Sequence, residues 1–280
     1  MADLSQLQVI TYGTYDTFGN STSQVIDSYS SATPDPTKLI DHKIITNDYT
    51  VRDANGVIDQ AATDIARRHG NAYMSTVDRY TSLEATPESL IEETITKTNL
   101  FDNRGNAVKQ TSETFVKDPS TGILQLQKET TVENINIDNR GDAGLQHITI
   151  KQPDPANAGE LTIVTYQEIT NRHFDASHNV DNQMVYTYTE SGGVLLDVQE
   201  IRSEGFTSSG TAQKQTIATY SDAAKTSITD AKVVENDVKS ITPQGYVGKT
   251  KITRYSAATI ADTGTGAISL IPADDNKELV

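Results

Sequence analysis

Segments in which residues alternate between two faces recur along most of this chain. In ELTIVTYQEITNRHF, residues 160–174, Leu161 and Ile163 would lie on one face of an extended strand and Tyr166 on the other. TAQKQTIATY (211–220) and ETITKTNLF (93–101) are likewise rich in Thr, Ile and aromatic residues, which favour strands. The pattern therefore predicts a chain made mostly of strands.

The predicted strands belong to a repeat that is anchored on a glycine. In YDTFGN, Asp16 precedes Gly19 by three positions, and FDNRGN repeats this arrangement at Asp102 and Gly105. The seven anchors are Gly19, Gly70, Gly105, Gly141, His178, Gly210 and Gly245, and their successive spacings are 51, 35, 36, 37, 32 and 35 residues. Self-similarity at a nearly fixed period is typical of repeat architectures.

Three columns of similar residues follow the anchors. Ten positions after them stand Tyr29, Tyr80, Phe115, Lys151, Tyr188, Tyr220 and Tyr255, of which six are aromatic. Six of the seven residues at the seventh position are Ile or Val, and Gln occurs five times at the fifth position. The fifth and seventh positions share one strand face, and the tenth lies on the other. We expect a ladder of Gln with Ile or Val on one face and an aromatic ladder on the opposite face, with adjacent repeats stacked beside one another.

The anchor motif predicts a turn. Asp at the first position of a type I turn hydrogen-bonds the backbone, and Gly at the fourth accepts a positive φ. The predicted structural turn residues are Asp16, Gly19, Gly70, Asp102, Gly105, Asp138, Gly141, Asp175, Gly210 and Gly245. At the anchor that lacks Gly, Asn179 after His178 is expected to take the left-handed conformation. Clusters of Pro, Gly and Asp, such as residues 117–122 and 152–159, predict second turns between the repeats.

These elements together predict an all-β fold, a long antiparallel β-meander built from seven hairpin repeats of about 35 residues, coiled or strip-like. We expect one repetitive β domain over residues 1–260 and a C-terminal tail over 261–280 with one short strand. The spacing of 51 residues indicates an insertion at about 51–66. Within it, Val57, Ile58, Ala61, Ala62 and Ile65 recur at helical spacing, which predicts one short helix near 57–68.

Composition and charge narrow the function classes. The chain is 35% hydrophobic and 6% aromatic, which favours thin layers with a polar surface over one deep core. The formal net charge of −15 argues against nucleic acid as a partner, because phosphate binding depends on Lys and Arg. Cysteine is absent, so disulfides, thiolate metal sites and a Cys nucleophile are excluded. No stretch predicts membrane insertion or a signal peptide, and we expect a mature or excised segment of an extracellular or cell-surface protein.

The motifs Tyr15-Asp16-x-x-Gly19-Asn20 and Phe101-Asp102-x-x-Gly105-Asn106 resemble the YD (RHS-type) repeats of large bacterial surface and toxin-associated proteins. The resemblance implies long β-hairpin strips, which in that family can spiral into a hollow shell, and a bacterial, exported protein. The chain departs from the family in the sparser spacing of its anchors and in the missing Asp before Gly70, Gly210 and Gly245.

Candidate chemistry is sparse. His42, His69, His147, His173 and His178 show no metal-ligand spacing and are interpreted as surface residues of strands and turns. Asp16, Asp102, Asp138 and Asp175 are interpreted as turn caps, and the alternative is calcium binding, to which Asp142 and Asp181 would add a second carboxylate. No nucleophile elbow, phosphate loop or dinucleotide motif is present, so we expect no enzyme and no organic cofactor. The aromatic column is interpreted as packing, with stacking on glycans as the alternative.

The leading hypothesis from the sequence is a non-enzymatic structural protein, a subunit or segment of an extracellular fibre, filament or giant surface adhesin. Unpaired strand edges at the ends of the array would join a second copy head to tail or continue into a longer parent protein. The alternative is a binding or encapsulating module, an RHS-like shell or a seven-bladed propeller, for a glycan, ligand or passenger.

Overall fold

The computed structural model of this chain describes residues 7–53, 55–157, 159–242, 245–255, 257–260, 268–271 and 278–279. Within these ranges lie seventeen strands, one α-helix and two short 3-10 helices, Pro36–Lys38 and Val238–Ser240. The strands are β1 (Leu7–Tyr12), β2 (Ser23–Tyr29), β3 (Leu39–Asp48), β4 (Met74–Tyr80), β5 (Leu90–Phe101), β6 (Ala107–Lys117), β7 (Leu124–Ile137), β8 (Ala143–Pro153), β9 (Leu161–Phe174), β10 (Val180–Tyr188), β11 (Leu195–Phe206), β12 (Ala212–Tyr220), β13 (Ile228–Asn236), β14 (Thr250–Tyr255), β15 (Ala257–Ile260), β16 (Ile268–Ile271) and β17 (Glu278–Leu279). The helix α1 spans Gln60–His69.

The strands pair in chain order. Strands β1 to β14 form one antiparallel meander, in which β17 lies next to β14, and β15 pairs with β16 as a separate two-stranded sheet. The predicted all-β antiparallel meander with a single helix is therefore confirmed.

Six of the seven anchors lie in turns that join consecutive strands of a hairpin, from the β1–β2 turn to the β13–β14 turn. The glycine anchors have φ between +69° and +94°, as the turn motif predicts. His178 itself has φ +66°, so the expectation that Asn179 would take the left-handed conformation is wrong. The amide of His178 donates to the carbonyl of Asp175, as the glycine amide does in the other turns, and this bond places the strained residue at the fourth position.

The remaining anchor, Gly70, ends a helix and is not part of a hairpin turn. Helix α1 begins after Asp59, whose carboxylate accepts from the amide of Ala62 at 3.0 Å, and ends at Gly70, which has φ +69°. Ala66 and Thr63 are the buried residues of the helix, and the Thr63 hydroxyl accepts from the amide of Val51 at 2.9 Å. The inserted segment thus replaces the turn between β3 and β4, and the glycine is retained because a helix also ends well in the left-handed region.

The chain divides into two compact units. The first contains residues 1–133 and 150–162, and the second contains residues 134–149 and 163–280. In the first unit the buried side chains are dispersed along the strands and beside α1, and they include Tyr29, Tyr49, Ala66 and Tyr73.

The second unit has an apolar cluster on one face of its strands. Val198, Ala218 and Tyr220 are its buried members, and Tyr186 and Ile268 are among the partly buried residues packed against them. Ile268 belongs to β16, so the β15–β16 hairpin lies over this face. Strands β16 and β17 both fall in 261–280, where the sequence predicted a tail with one short strand, and the rest of that segment lies outside the described residues.

Two glycine substitutions separate the conformational role of an anchor from its packing role. Gly19→Ala adds a Cβ with no atom within 4 Å, whereas at Gly105 the Cβ would lie 2.7 Å from the His69 ring. We expect Gly19→Ala to lower the free energy of unfolding by about 1–2 kcal/mol, the cost of the left-handed region, and Gly105→Ala to lower it further. Urea denaturation measures both, and adding His69→Ala to Gly105→Ala should recover the excess. Equal costs for the two glycine variants would contradict this assignment.

Candidate functional site

The aspartate of each anchor motif stabilises its own turn. In the first turn, one carboxylate oxygen of Asp16 accepts from the amides of Phe18 and Asn20, both at 2.9 Å, and the other accepts from the Asn20 side chain at 3.0 Å. Asp102 and Asp175 make the same three types of contact, and Asp138 accepts the two amide bonds. In the last two turns Thr207 and Thr242 take the place of the aspartate, each through its hydroxyl oxygen.

These hydrogen bonds favour the ionised carboxylates. Burial by itself would raise the pKa of Asp16, but the hydrogen bonds from Asn20 and Phe18 outweigh it and hold that pKa below its ordinary value. The side-chain and backbone hydrogen bonds from Asn179 lower the pKa of Asp175 in the same way. Stability from these turns is present above the ordinary aspartate pKa and is lost as the pH falls through the lowered values.

The oxygens that calcium would need are thus engaged by the donors of each turn. Asp142 and Asp181, considered as second carboxylates, are bound by His178 at 2.8 Å and by His173 at 2.7 Å. In the part of the chain that the structure describes, no group of three or more His, Asp or Glu side chains is placed to hold a metal ion. The calcium hypothesis has no supporting geometry among these residues.

In three repeats the residue after the anchor links its turn to the next one, which the sequence analysis missed. The Asn20 side chain donates to the carbonyl of Arg67 at 2.6 Å, beside the next anchor, and Asn71 donates to the carbonyl of Gly105 at 2.5 Å. The Thr211 hydroxyl donates in the same way to the carbonyl of Gly245 at 3.1 Å. The signal was present in the sequence, since Asn follows the anchor in four of the seven repeats. We call this row of contacts the turn ladder.

The Gln column has a partner that the sequence analysis did not identify. In four hairpins the Gln side chain donates to a small polar residue on the preceding strand: Gln110 to Thr98, Gln146 to Asn134, Gln183 to Asn171, and Gln215 to Ser203, at 2.7–3.1 Å. That polar residue can also donate to the hairpin before it, because Asn171 reaches the carbonyl of Ala143 at 2.9 Å. A row of side-chain hydrogen bonds, here called the Gln ladder, therefore links strands within and between repeats.

The aromatic column does not form a stack of its own members. Because a repeat is two strands wide, the column occupies every second strand, and its members are roughly 10 Å apart. In five repeats the aromatic residue instead faces Leu or Ile across a register shift: Tyr29 with Leu39, Tyr80 with Leu90, Phe115 with Leu126, Tyr188 with Leu195, and Tyr220 with Ile228. Intervening strands supply other rings, such as Tyr166 at 6.2 Å from Tyr188 and His42 at 5.8 Å from Tyr80. Tyr255 faces Ala231 without such a shift.

The histidines differ in their surroundings. His42 is buried at 6% exposure and its Nδ1 lies 2.5 Å from Asp27, so its prediction as a surface residue is wrong. The strand pattern did not reveal this because His42 is the one buried residue of β3. His173 and His178 are exposed, as predicted, and His147 packs its ring 5.7 Å from that of Tyr166.

Strand β1 is the exposed edge of the meander. Among the described strands it pairs only with β2. Ile10, Tyr12, Tyr15 and Phe18, on β1 and in the turn after it, each expose between 45% and 56% of their surface, and the rings of Tyr12 and Tyr15 stack with centroids 6.3 Å apart. A strand edge with free backbone groups and apolar side chains is a place where another strand can bind.

At the other end, β14 has β13 on one side. On its outer side β17 pairs with two of its residues, Thr253 with Leu279 and Arg254 with Glu278. The described part of the chain therefore has an open edge at β1 and a briefly covered edge at β14.

No protein-family model and no curated protein matches this chain. Among the described residues, no helix is both long enough and apolar enough to cross a membrane. The function is therefore argued from the geometry of the two edges.

One acidic pair in the sheet gives a test of its electrostatics. Asp78 and Glu93 face each other on β4 and β5, and burial followed by the charge of Asp78 raises the pKa of Glu93. Burial also raises the pKa of Asp78. A carboxyl with a raised pKa favours folding while it is protonated, and that contribution is lost as the pH rises through the raised value.

We expect Glu93→Gln to raise the Tm at pH 7 by roughly 1–3 °C, because an amide facing Asp78 removes the repulsion and can donate a hydrogen bond. At pH 4 the gain should shrink or vanish. Glu92→Gln is the matched control, because Glu92 lies on the opposite face and pairs with Arg79 at 3.8 Å. Differential scanning calorimetry at both pH values measures the effect, and a gain that does not depend on pH would contradict it.

Proposed function

We propose that this chain is a non-enzymatic structural β-repeat protein, a subunit or segment of an extracellular fibre, filament or giant surface adhesin. Its copies join through strand-edge pairing, head to tail, or the array continues into a longer parent protein. The single observation that carries this proposal is the apolar open edge at β1. The pairing register of internal strands can be extended to this edge.

The register of the internal strands predicts which residues of two copies would face each other. In the pairs β4–β5, β6–β7 and β10–β11, the residue seven positions after one anchor faces the residue eleven positions before the next, as Val77 faces Thr94. In β12–β13 the register differs by two residues, and Ile217 faces Lys232. Counted from Gly245 and Gly19, the same rule places Ile252 of one copy opposite Gln8 of the next. The neighbouring positions then bring Thr250 opposite Ile10, and both strands contain these residues.

The side chains at this junction also support this register between copies. Ile10 lies nine positions before its anchor, where internal strands have Val132, Ile169 and Ile201. Ile169 is buried between two neighbouring strands, whereas Ile10 is 45% exposed on an edge. A second copy beside β1 would therefore cover an apolar residue whose equivalents are internal.

The chemistry of the chain is consistent with this role. Several of its acidic residues make turn contacts, and the net charge of −15 suits a protein that must stay soluble outside the cell. The turn ladder and the Gln ladder repeat the same contacts in successive hairpins, which is an arrangement that another copy can extend.

A lysine on the open edge is expected to block assembly. Ile10→Lys places a charge where the next copy would pair, and charged side chains prevent edge-to-edge association. The wild-type chain should form particles that lengthen with concentration in negative-stain electron microscopy and light scattering, and Ile10→Lys should stay monomeric. The matched control is Ile40→Lys, at an exposed position of the internal strand β3. A wild-type chain that is monomeric throughout, or equal assembly of Ile10→Lys, would overturn the proposal.

Removal of β17 is expected to have the opposite effect. A chain that ends at Lys277 leaves Thr253 and Arg254 without their outer strand and should assemble at a lower concentration than the full chain. Leu279 lies opposite Thr253. In the register proposed between copies, Leu7 of the next copy would take that position. Sedimentation velocity of both chains measures the shift, and weaker assembly of the shortened chain would argue against β14 as the second edge.

A further inference from the structure

The most buried charge in the second unit is held by three cations. Glu200 on β11 is fully buried, and its carboxylate accepts from Arg172 at 2.7 and 3.1 Å, from Arg202 at 3.1 Å and from Lys225 at 2.6 Å. The side chains of these three cations are only 12–16% exposed. Three cations on one carboxylate leave a local excess of positive charge, in a chain whose acidic residues outnumber its basic ones by 38 to 23.

Two of these cations also line a cavity. It has a volume of about 480 Å³, and Arg172 and Arg202 line it together with His173, Asp181, Asn182 and Glu204. Glu200 holds the guanidinium groups in place from behind, so their position is set before any ligand binds. A cavity of this volume suits one small molecule.

The acids at the cavity are already paired. Asp181 binds His173 at 2.7 Å, and Glu204 binds Lys214 at 2.6 Å. The cations at and behind the cavity are Arg172, Arg202 and Lys225, with Lys214 beside Glu204, and the carboxylates are Glu200, Asp181 and Glu204, with Glu235 facing Lys214. The two guanidinium groups that line the cavity favour an anion at this place.

We propose that this cavity binds an anionic sugar, a monosaccharide whose acid group is a carboxylate or a sulfate ester. Arg172 and Arg202 receive the acid group, because guanidinium forks match planar and tetrahedral oxyanions. The remaining lining offers donors and acceptors together, in Asn182, Asp181 and Glu204, and this mixture suits hydroxyl groups, which both donate and accept. The site lies in the second unit and does not depend on assembly through the strand edges.

The test is isothermal titration calorimetry of the full chain at low ionic strength with four probes. D-Glucuronate and glucose 6-sulfate carry the two acid groups, and D-glucuronamide and glucose are their neutral counterparts. We expect binding of at least one acidic probe and at least ten-fold weaker binding of both neutral ones, the effect of one lost charge-assisted contact. If only one acidic probe binds, it identifies the acid group that the site accepts. Binding of one acidic probe or of both supports the site.

Two variants with opposite expected effects test the location. Arg202→Gln removes a cation while Arg172 and Lys225 still hold Glu200, and it should weaken binding roughly ten-fold. Glu204→Gln removes an acid at the cavity and should strengthen binding roughly two-fold or more. Glu133→Gln is the matched control, since Glu133 is an exposed glutamate paired with Lys109 at 2.6 Å in the first unit, and it should change nothing.

Three results would overturn the proposal. They are no binding of either acidic probe, equal binding of the neutral probes, and unchanged affinity in both cavity variants. If Arg202→Gln fails to fold, as judged by its circular dichroism, Glu204→Gln and the comparison of acidic with neutral probes still decide the question.

Discussion

The side-chain hydrogen bond between a Gln and a small polar residue on the neighbouring strand is the contact around which this fold is organised. It recurs in four hairpins, and in one of them the accepting residue also reaches the hairpin before it, as Asn171 does between Gln183 and the carbonyl of Ala143. With few buried apolar side chains along the strands, cohesion must come from contacts between immediate neighbours. A structure held in this way has ends that lack half of their contacts, and β1 is such an end.

The treatment of charge differs between the turns and the strands. In the turns, each aspartate carboxylate is stabilised in its ionised form by amides of its own loop, which lower its pKa. Within the strands, Glu200 is compensated by several cations, whereas Asp78 and Glu93 face each other with no described cation between them. The facing acids Asp78 and Glu93 weaken the sheet at neutral pH. The arrangement around Glu200 concentrates cations beside the cavity.

Much of this fold could be predicted from the sequence, because short-range rules determine it. The Asp-x-x-Gly motif, the columns and the second turns predicted a meander whose strands pair in chain order. The misses come from tertiary context. Gly70 obeys the same φ requirement in a helix end as in a turn, so the motif could not distinguish them. His178 shows that a hydrogen-bonded turn can impose a left-handed conformation on a residue that disfavours it.

The candidate site was less predictable. That an aromatic residue faces a Leu or Ile on the next strand depends on register shifts, which no local pattern encodes. The convergence of Arg172, Arg202 and Lys225 on Glu200 joins residues 25 to 28 positions apart or on the same strand, so spacing alone could not reveal it. The open edge at β1, by contrast, was expected from the leading sequence hypothesis of an open array of hairpin repeats.

The replacement of a turn by α1 has a consequence for how such a chain can vary. Strands β3 and β4 keep an unbroken register from His42 with Tyr80 to Asp48 with Met74, although a helix and a second small turn stand between them. The pairing of β3 with β4 thus tolerates a helix in place of a short turn, with Gly70 in the left-handed region ahead of the returning strand. At this hairpin, a helical insertion has therefore replaced a short turn without changing the pairing of the strands beneath it.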